Sequence, residues 1–226
     1  MSDARIDGRR WERTVLRTPW LTEHHDLGAV LAAALADVDT PGQEHRVLAV
    51  AEKAAIVTSG RTIPADRARW LARVLANAVR PVGDSEGLSV PAKMQYVLDE
   101  TGYLRVLWAA AASALTRPLG VPGVFYRIAG TVARDLDGAR GAYPETLLPP
   151  LSEGEAQLLA HHLAVRLGLP VAVVDVNDRG GSVRGRSPGC PPAATLLAVL
   201  ADNPLGHRRQ STPAVLLRSP AHGAEQ

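Results

Sequence analysis

Three stretches of this 226-residue chain carry side chains that could do chemistry together. In the first, the apolar run 171–174 ends in Asp175, Asn177, Asp178 and two glycines. In the second, Asp137 precedes Gly138 at a turn after an apolar segment, and in the third Asn203, Gly206, His207, Arg208 and Arg209 share a short loop. Branched and small apolar residues between Pro170 and Asn177-Asp178 suit a strand covered on both faces, because β-branched side chains pack well on a pleated surface and Asn, Asp and Gly favour turns. Asp175 then sits at a strand's carboxyl end, where its charge must be hydrated, paired or metal-bound, since an unpaired buried carboxylate is costly. Acids far apart in sequence, each ending a strand, are what a Mg²⁺ or Mn²⁺ ion with a polyphosphate needs. Arginines beside a turn glycine neutralise phosphate. The structural alternatives are a capped turn at Asp175 and an exposed pair at Arg208-Arg209.

The other signatures of nucleotide or metal chemistry are missing: no GxxxxGK[ST] loop, no GxGxxG after a strand, no HExxH and no paired CxxC. The composition is that of a globular chain, with 46% hydrophobic and 21% charged residues. Aromatic residues make up only 4%, which argues against stacking platforms for single-stranded nucleic acid. The formal charge is +2, with arginines scattered among acids, so no nucleic-acid partner is expected. A single cysteine, Cys190, excludes an intrachain disulfide and fits a reducing cytoplasm. No apolar leader is visible, and the longest apolar stretch, 106–115, is too short to span a bilayer, so no membrane association is expected.

These groups need elements to position them. The pattern predicts a frayed arm over 1–12, a strand-like segment, and a helix through Leu27, Leu31 and Leu35 that Thr22 could cap. A strand pair or strand-to-loop segment follows over 45–61, then a helix over 64–80 and another over 92–101 ended by Gly102. The stretch 104–115 suits a buried strand or helix, with Trp70 and Trp108 as core candidates. The glycines and prolines of 117–130 imply irregular backbone. Ser152 with Glu155 reads as a capping box opening a helix whose inner face is Leu158, Leu159, His162, Leu163 and Leu167. A strand at 171–176, a helix at 193–200 and a final strand at 214–218 complete the chain. The expectation is an α+β protein with mixed or antiparallel sheets and packed helices, a single domain over 1–226 with 1–12 and 219–226 disordered.

Taken in order, TPWLTEHHDLGAVL, AVAEKAAIVTSGR, GLSVPAKMQ, GVFYRIAG, ARDLDG, LLPP, VVDVNDRGG and DNPLGHRRQSTPAVLLR span most of the chain. Together they resemble the GTP-dependent coenzyme F(420)-0:gamma-glutamyl ligase family, in a divergent, shortened form. The resemblance implies an intertwined homodimer fold and makes Asp137 and Asp175 the carboxylates that share a divalent metal (Mg²⁺ or Mn²⁺). It also implies GTP or ATP as co-substrate, contacted by Lys53, Arg61, Asn177, Asn203, Gly206, Arg208 and Arg209. A small-molecule carboxylate would be phosphorylated to an acyl phosphate and then attacked by an amino acid or amine. The chain departs from the family where Val176 replaces a threonine ligand and where His207 replaces a glutamate, which makes His207 the third candidate metal ligand. It also lacks the family lysine near Ile56-Val57, and His24-His25 stand where the family has Gly-Asp. The alternative is a relative that binds a nucleotide or flavin-like ligand, or scaffolds a partner, without turnover.

Overall fold

The computed structural model describes residues 2–6, 8–38, 45–64, 68–79, 87–121, 123–130, 137–138, 146–177, 180–206 and 210–220. The chain, expected as one domain, divides into two compact units: Met1–Arg61 with Leu151–Gln226, and Thr62–Pro150. Its class is α+β, with a mixed sheet and packed helices, as the pattern predicts.

The first unit is built on six strands: β1 (Ser2–Ile6), β2 (Arg9–Thr18), β3 (His45–Ala51), β7 (Val171–Asn177), β8 (Gly180–Arg186) and β9 (Ser211–Ser219), in the order β1-β2-β9-β3-β7-β8. Among the described strand pairs of this sheet only β3–β7 is parallel. Residues 47–50, 171–174 and 214–217 are fully buried, so the three central strands are covered on both faces. One face carries Trp11, Val47, Ala49, Ala172, Val174, Val215 and Leu217, closed by Leu196, Val199 and Leu200 at the end of the helix Ala193–Val199. The helix Glu153–Leu167 lies on the opposite face. Its approach depends on Gly185: a Cβ there would fall onto the Ala156 carbonyl and within 2.5 Å of Gln157 N. The Gln157 amide then covers the free edge of β8, donating to Arg186 O at 2.5 Å and accepting from Arg186 N at 3.1 Å. An open strand edge is thereby paired within the chain.

The second unit is mostly helical: α3 (Trp70–Ala78), α4 (Pro91–Thr101), α5 (Tyr103–Thr116) and α6 (Val124–Ala129), with a small sheet of β4 (Ile63–Pro64), β6 (Thr146–Leu148) and β5 (Asp137–Gly138). In the first unit the described α-helices are α1 (Leu27–Ala36), α2 (Glu52–Thr58), α7 (Glu153–Leu167) and α8 (Ala193–Val199). Buried Gln95 ties α3, α4 and α5 together. Its carbonyl accepts from Arg69 N at 3.0 Å, and its amide donates to Asp99 Oδ1 at 2.8 Å and to the Tyr103 hydroxyl at 3.1 Å.

Several elements differ from the expectation. The arm over 1–12 is instead β1 and the start of β2. Its pattern is masked because β2 buries a charge: Arg13 is 7% exposed and donates to Val199 O at 3.0 Å and to Asp202. Residues 52–58 form a helix rather than a second strand, since Ala and Glu prefer helix once the strand has ended. Asp26 rather than Thr22 caps α1, accepting from Ala29 N at 2.9 Å. Thr22 instead closes a turn, its hydroxyl 2.8 Å from His25 Nδ1. Asp137-Gly138 is a short strand rather than a turn, and 124–129 is helical. The inner face of α7 is Ala156, Ala160 and Leu163, while Leu158 and His162 point outward, because close packing on β8 selects the small side chains. Trp70 and Trp108 are exposed. Ser219, expected in the disordered tail, is a buried end of β9, and 221–226 lie outside the described residues.

Replacing Gly185 by Ala should therefore cost at least about 2 kcal/mol through overpacking against backbone that cannot swing aside. Urea denaturation of Gly185→Ala against the parent measures it; an unchanged midpoint would mean that α7 does not sit this close to β8.

Candidate functional site

The register of the sheet brings one set of charged groups to a common level. Ala51 pairs with Val174, so the next residues, Glu52 and Asp175, leave β3 and continue β7 side by side at the carboxyl end of the parallel pair. Along β7 the residues alternate, and Val174 and Val176 face the α8 side. Asp175 therefore faces the other side, where α2 begins. Val176 is partly buried against the apolar layer, so the position that the resemblance would give to a threonine ligand faces the α8 side here.

Across from them β8 is irregular. Val173 pairs with Gly185 and Val174 with Val183, which leaves Arg184 as the extra residue of a bulge. A bulge re-aims a side chain. Arg184 Nε donates to Glu52 Oε1 at 3.2 Å, and its Nη2 donates to Leu151 O at 2.9 Å. Glu52 Oε1 also accepts from Leu151 N at 2.7 Å, so the pair clamps both backbone groups of the residue that leads into α7. Glu52 is 5% exposed. Burial pushes its pKa up, and the neighbouring Asp175 charge adds to the rise, while the Leu151 amide and Arg184 pull the other way. Gly181, opposite Val176, is required by the same hairpin, because a Cβ there would lie 2.6 Å from Asp175 O.

The remaining residues expected at the site divide. Asn177 ends β7 and is exposed, and Lys53 is exposed on the first turn of α2. Arg61, past the end of α2, pairs with Glu155. Glu155 also closes the capping box of α7, accepting from the Ser152 hydroxyl at 2.7 Å and from Ser152 N at 2.9 Å. Those Ser152 bonds first, and Arg61 second, hold its pKa down at about 2. Asn203 adopts a left-handed φ of 52°, and its backbone accepts from Gly206 N at 3.0 Å. A Cβ on Gly206 would lie 2.8 Å from Asn203 Cγ, so a larger residue there would have to displace the Asn203 amide. Thr212 Oγ1 donates to Leu205 O at 3.0 Å, and β9 begins at Ser211 opposite Thr18. The Asn203 loop thus leads back to the sheet edge at which β2, β3 and β7 end. His207, Arg208 and Arg209 lie outside the described residues. Asp137 belongs to the second unit, with its backbone opposite Leu148 and its side chain outside the described set.

Glu52 and Arg184 are the residues that the sequence reading missed. An acid directly after a fully buried apolar run is the signal that singled out Asp175, and Glu52 after 47–51 carries it too. Arg184 had none, because a bulge is a property of the pairing. Among the described residues no three His, Cys, Asp or Glu side chains form a cluster that could hold a metal. The donors present are Asp175 and Glu52, with Arg184 competing for the latter. That set fits an ion such as Mg²⁺ that takes one or two carboxylates and fills its shell with phosphate and water. It does not fit a closed structural centre. No protein-family profile matches the chain, and no curated protein matches it.

Two outcomes follow. Glu52→Ala and Arg184→Ala should each destabilise the fold by about 2–4 kcal/mol, because each strands a partner that is largely out of water. The double variant should cost less than the sum by at least about 1 kcal/mol, and additive effects in denaturant titrations would mean that the two do not act as a unit. The pH signs are opposite at the two glutamates. Glu52, raised on folding, withdraws stability as pH climbs past its ordinary value of 4.5, whereas Glu155, lowered to about 2, contributes stability above 4.5 that is lost as pH falls toward 2. Melting curves should show Glu155→Gln with a flatter decline between pH 4.5 and 2 than the parent.

Proposed function

We propose that the chain is a nucleotide- and metal-dependent ligase that joins an amino acid or amine to a small carboxylate through an acyl phosphate. The observation that carries this reading is Asp175 at the carboxyl end of the parallel β3–β7 pair, beside buried Glu52 and its partner Arg184. In sheets with parallel strands, ligands bind outside the carboxyl ends, where side chains are free of the ladder. The resemblance to the gamma-glutamyl ligases of the deazaflavin coenzyme supports the same reaction class, and with it a homodimer and GTP or ATP as co-substrate. A divalent ion held by Asp175 would supply charge neutralisation for the terminal phosphate.

The chain's own residues then have positional work. Glu52 and Arg184 fix the entry to α7 and the height of Asp175 in the hairpin. Lys53 on the first turn of α2 and Arg61 beyond its end are candidate cations, and Arg208 and Arg209, which follow the Asn203–Gly206 turn in sequence, have guanidinium groups that suit phosphate oxygens. Phosphoryl transfer needs positioning and charge neutralisation more than covalent participation, so a site without an activated nucleophile is consistent with it. His207, an imidazole in place of a carboxylate, moves the preference toward Mn²⁺. Val176 favours a second reading, because a core valine at the family's threonine position removes one ligand. On that reading the chain binds nucleotide without turnover.

The test is nucleoside-diphosphate release with glutamate and a panel of carboxylate acceptors, alongside nucleotide-induced melting shifts with and without Mg²⁺ or Mn²⁺. Asp175→Asn should lower turnover by about 100-fold or more with the melting temperature retained, as loss of a charge at a phosphoryl-transfer site does. Diphosphate release that survives the substitution would remove Asp175 from the chemistry. Tight nucleotide binding with no release for any acceptor would leave the binding protein.

A further inference from the structure

Two N–H groups on β2 lie out of water without an acceptor. Trp11 is 2% exposed and Arg13 7%, and neither Trp11 Nε1 nor Arg13 Nε has a hydrogen-bond partner. The two residues are i and i+2 on one strand, so they project from the same face of the sheet, about 7 Å apart at their Cα atoms. Both side chains reach the end of α8. Trp11 packs in the layer that holds Leu196, Val199 and Leu200, and Arg13 Nη1 donates to Val199 O at 3.0 Å and to Asp202, which leaves Nε on the other edge of the planar group. The edge contact of Trp11 with the His45 ring, centroids 6.4 Å apart, offers no oxygen acceptor. A buried donor without an acceptor is costly, and two of them side by side call for a bound water or ion.

We infer that Trp11 and Arg13 form a site for one small monovalent anion of halide size, such as chloride, between β2 and the end of α8. Three observations favour an anion over water. The first is the sorting of charge on the β1–β2 hairpin. Side chains alternate along both strands, so Arg9, Trp11 and Arg13 share the face toward α8. The acids of the two strands, Asp3 and Glu12, lie on the other face, where they meet Arg10 and Arg218. Among the described residues of the hairpin, the α8 face therefore carries cations and no carboxylate. Asp202 approaches from the loop after α8, but its side chain is 61% exposed against 7% for Arg13, so its charge is hydrated where the guanidinium's is not. The second observation concerns acceptors. Leu196 O accepts from Leu200 N at 3.0 Å, Ala198 O from Ala201 N at 3.5 Å, Val199 O from Arg13, and Leu200 O from Asn203 N at 2.9 Å. A water accepting from Trp11 and Arg13 has to place its own two hydrogens among apolar side chains and carbonyls that already have a donor, whereas an anion only accepts. The third is size. Two N–H donors suit a spherical ion, while a phosphate brings more oxygens than this face can satisfy. The ion ties β2 to α8 and to the loop that Asp202 begins. The inference is independent of any chemistry at Asp175.

The test is a chloride titration of the full chain at constant ionic strength, with gluconate as the balancing anion, read in the proton–nitrogen NMR spectrum. The chain has 4 tryptophans, and the indole N–H signal missing from Trp11→Phe belongs to Trp11. In the parent that signal should shift along a saturable curve as chloride replaces gluconate. The melting temperature should rise over the same chloride range, as a ligand of the folded state requires. Trp11→Phe keeps an aromatic ring without a donor and should lose the chloride-dependent rise. Asp202→Asn, which removes a competing carboxylate and leaves both donors in place, should lower the chloride dissociation constant, so the inference stays testable even where Trp11→Phe folds poorly. Crystals grown in bromide should show an anomalous peak within hydrogen-bond distance of Trp11 Nε1 and Arg13 Nε. A Trp11 signal indifferent to chloride, a melting shift that survives Trp11→Phe, chloride binding weakened by Asp202→Asn, or a water where the bromide is expected would each overturn the inference. A bromide peak without a saturable titration would mean an adventitious ion only, and would overturn it as well.

Discussion

Covering β3 and β7 on both faces is the constraint from which the first unit follows. Strands buried from 47 to 50 and from 171 to 174 leave no room for charge along their length, so polar groups are displaced to the ends. Because the two strands run parallel and are paired Ala51 to Val174, their first polar residues emerge at one level. Glu52 and Asp175 are neighbours for that reason. The buried Glu52 carboxylate requires a cation, and the bulge in β8 brings Arg184 to it. The same guanidinium and carboxylate satisfy the backbone of Leu151, which ties the start of α7 to the end of β3.

The opposite end of this logic is seen in small residues. Gly185 and Ala156 let α7 lie on β8, and the Gln157 amide then occupies an edge that would otherwise recruit another strand. Arg13 performs a comparable task on the other face, where its buried guanidinium holds the end of α8 and Asp202 at the root of the Asn203 turn. Buried Arg13 and half-buried Arg184 thus fix the root of the Asn203 turn and the entry to α7. Neither loop is held by apolar packing alone.

The second unit has a different balance. Its core is assembled from Met94, Val97, Leu98, Val106, Leu88 and Leu147, and the Gln95 network holds three helices at fixed spacing. The apolar surface it leaves on α5 is the reverse of the first unit's economy with charge. No helix among the described residues is long and apolar enough to cross a membrane.

Local signals determined much of this protein. The apolar run and its flanking turn residues gave β7 and the place of Asp175. Ser152 with Glu155 gave the start of α7, Gly168 its end in a left-handed cap, and Gly102 the end of α4, because capping and turn chemistry act within a few residues. Where the pattern failed, a distant partner had changed the rule. Residues 1–12 read as a frayed arm until β1 and β2 pair with each other and β2 with β9, and α7's outward Leu158 reads as core until a neighbouring strand selects alanines. Glu52 was legible by the same rule as Asp175, yet its meeting with Arg184 was not. That meeting depends on parallel register between segments more than a hundred residues apart and on one extra residue in β8. Pairing of that kind is decided by the assembled sheet, since each strand alone is compatible with many registers.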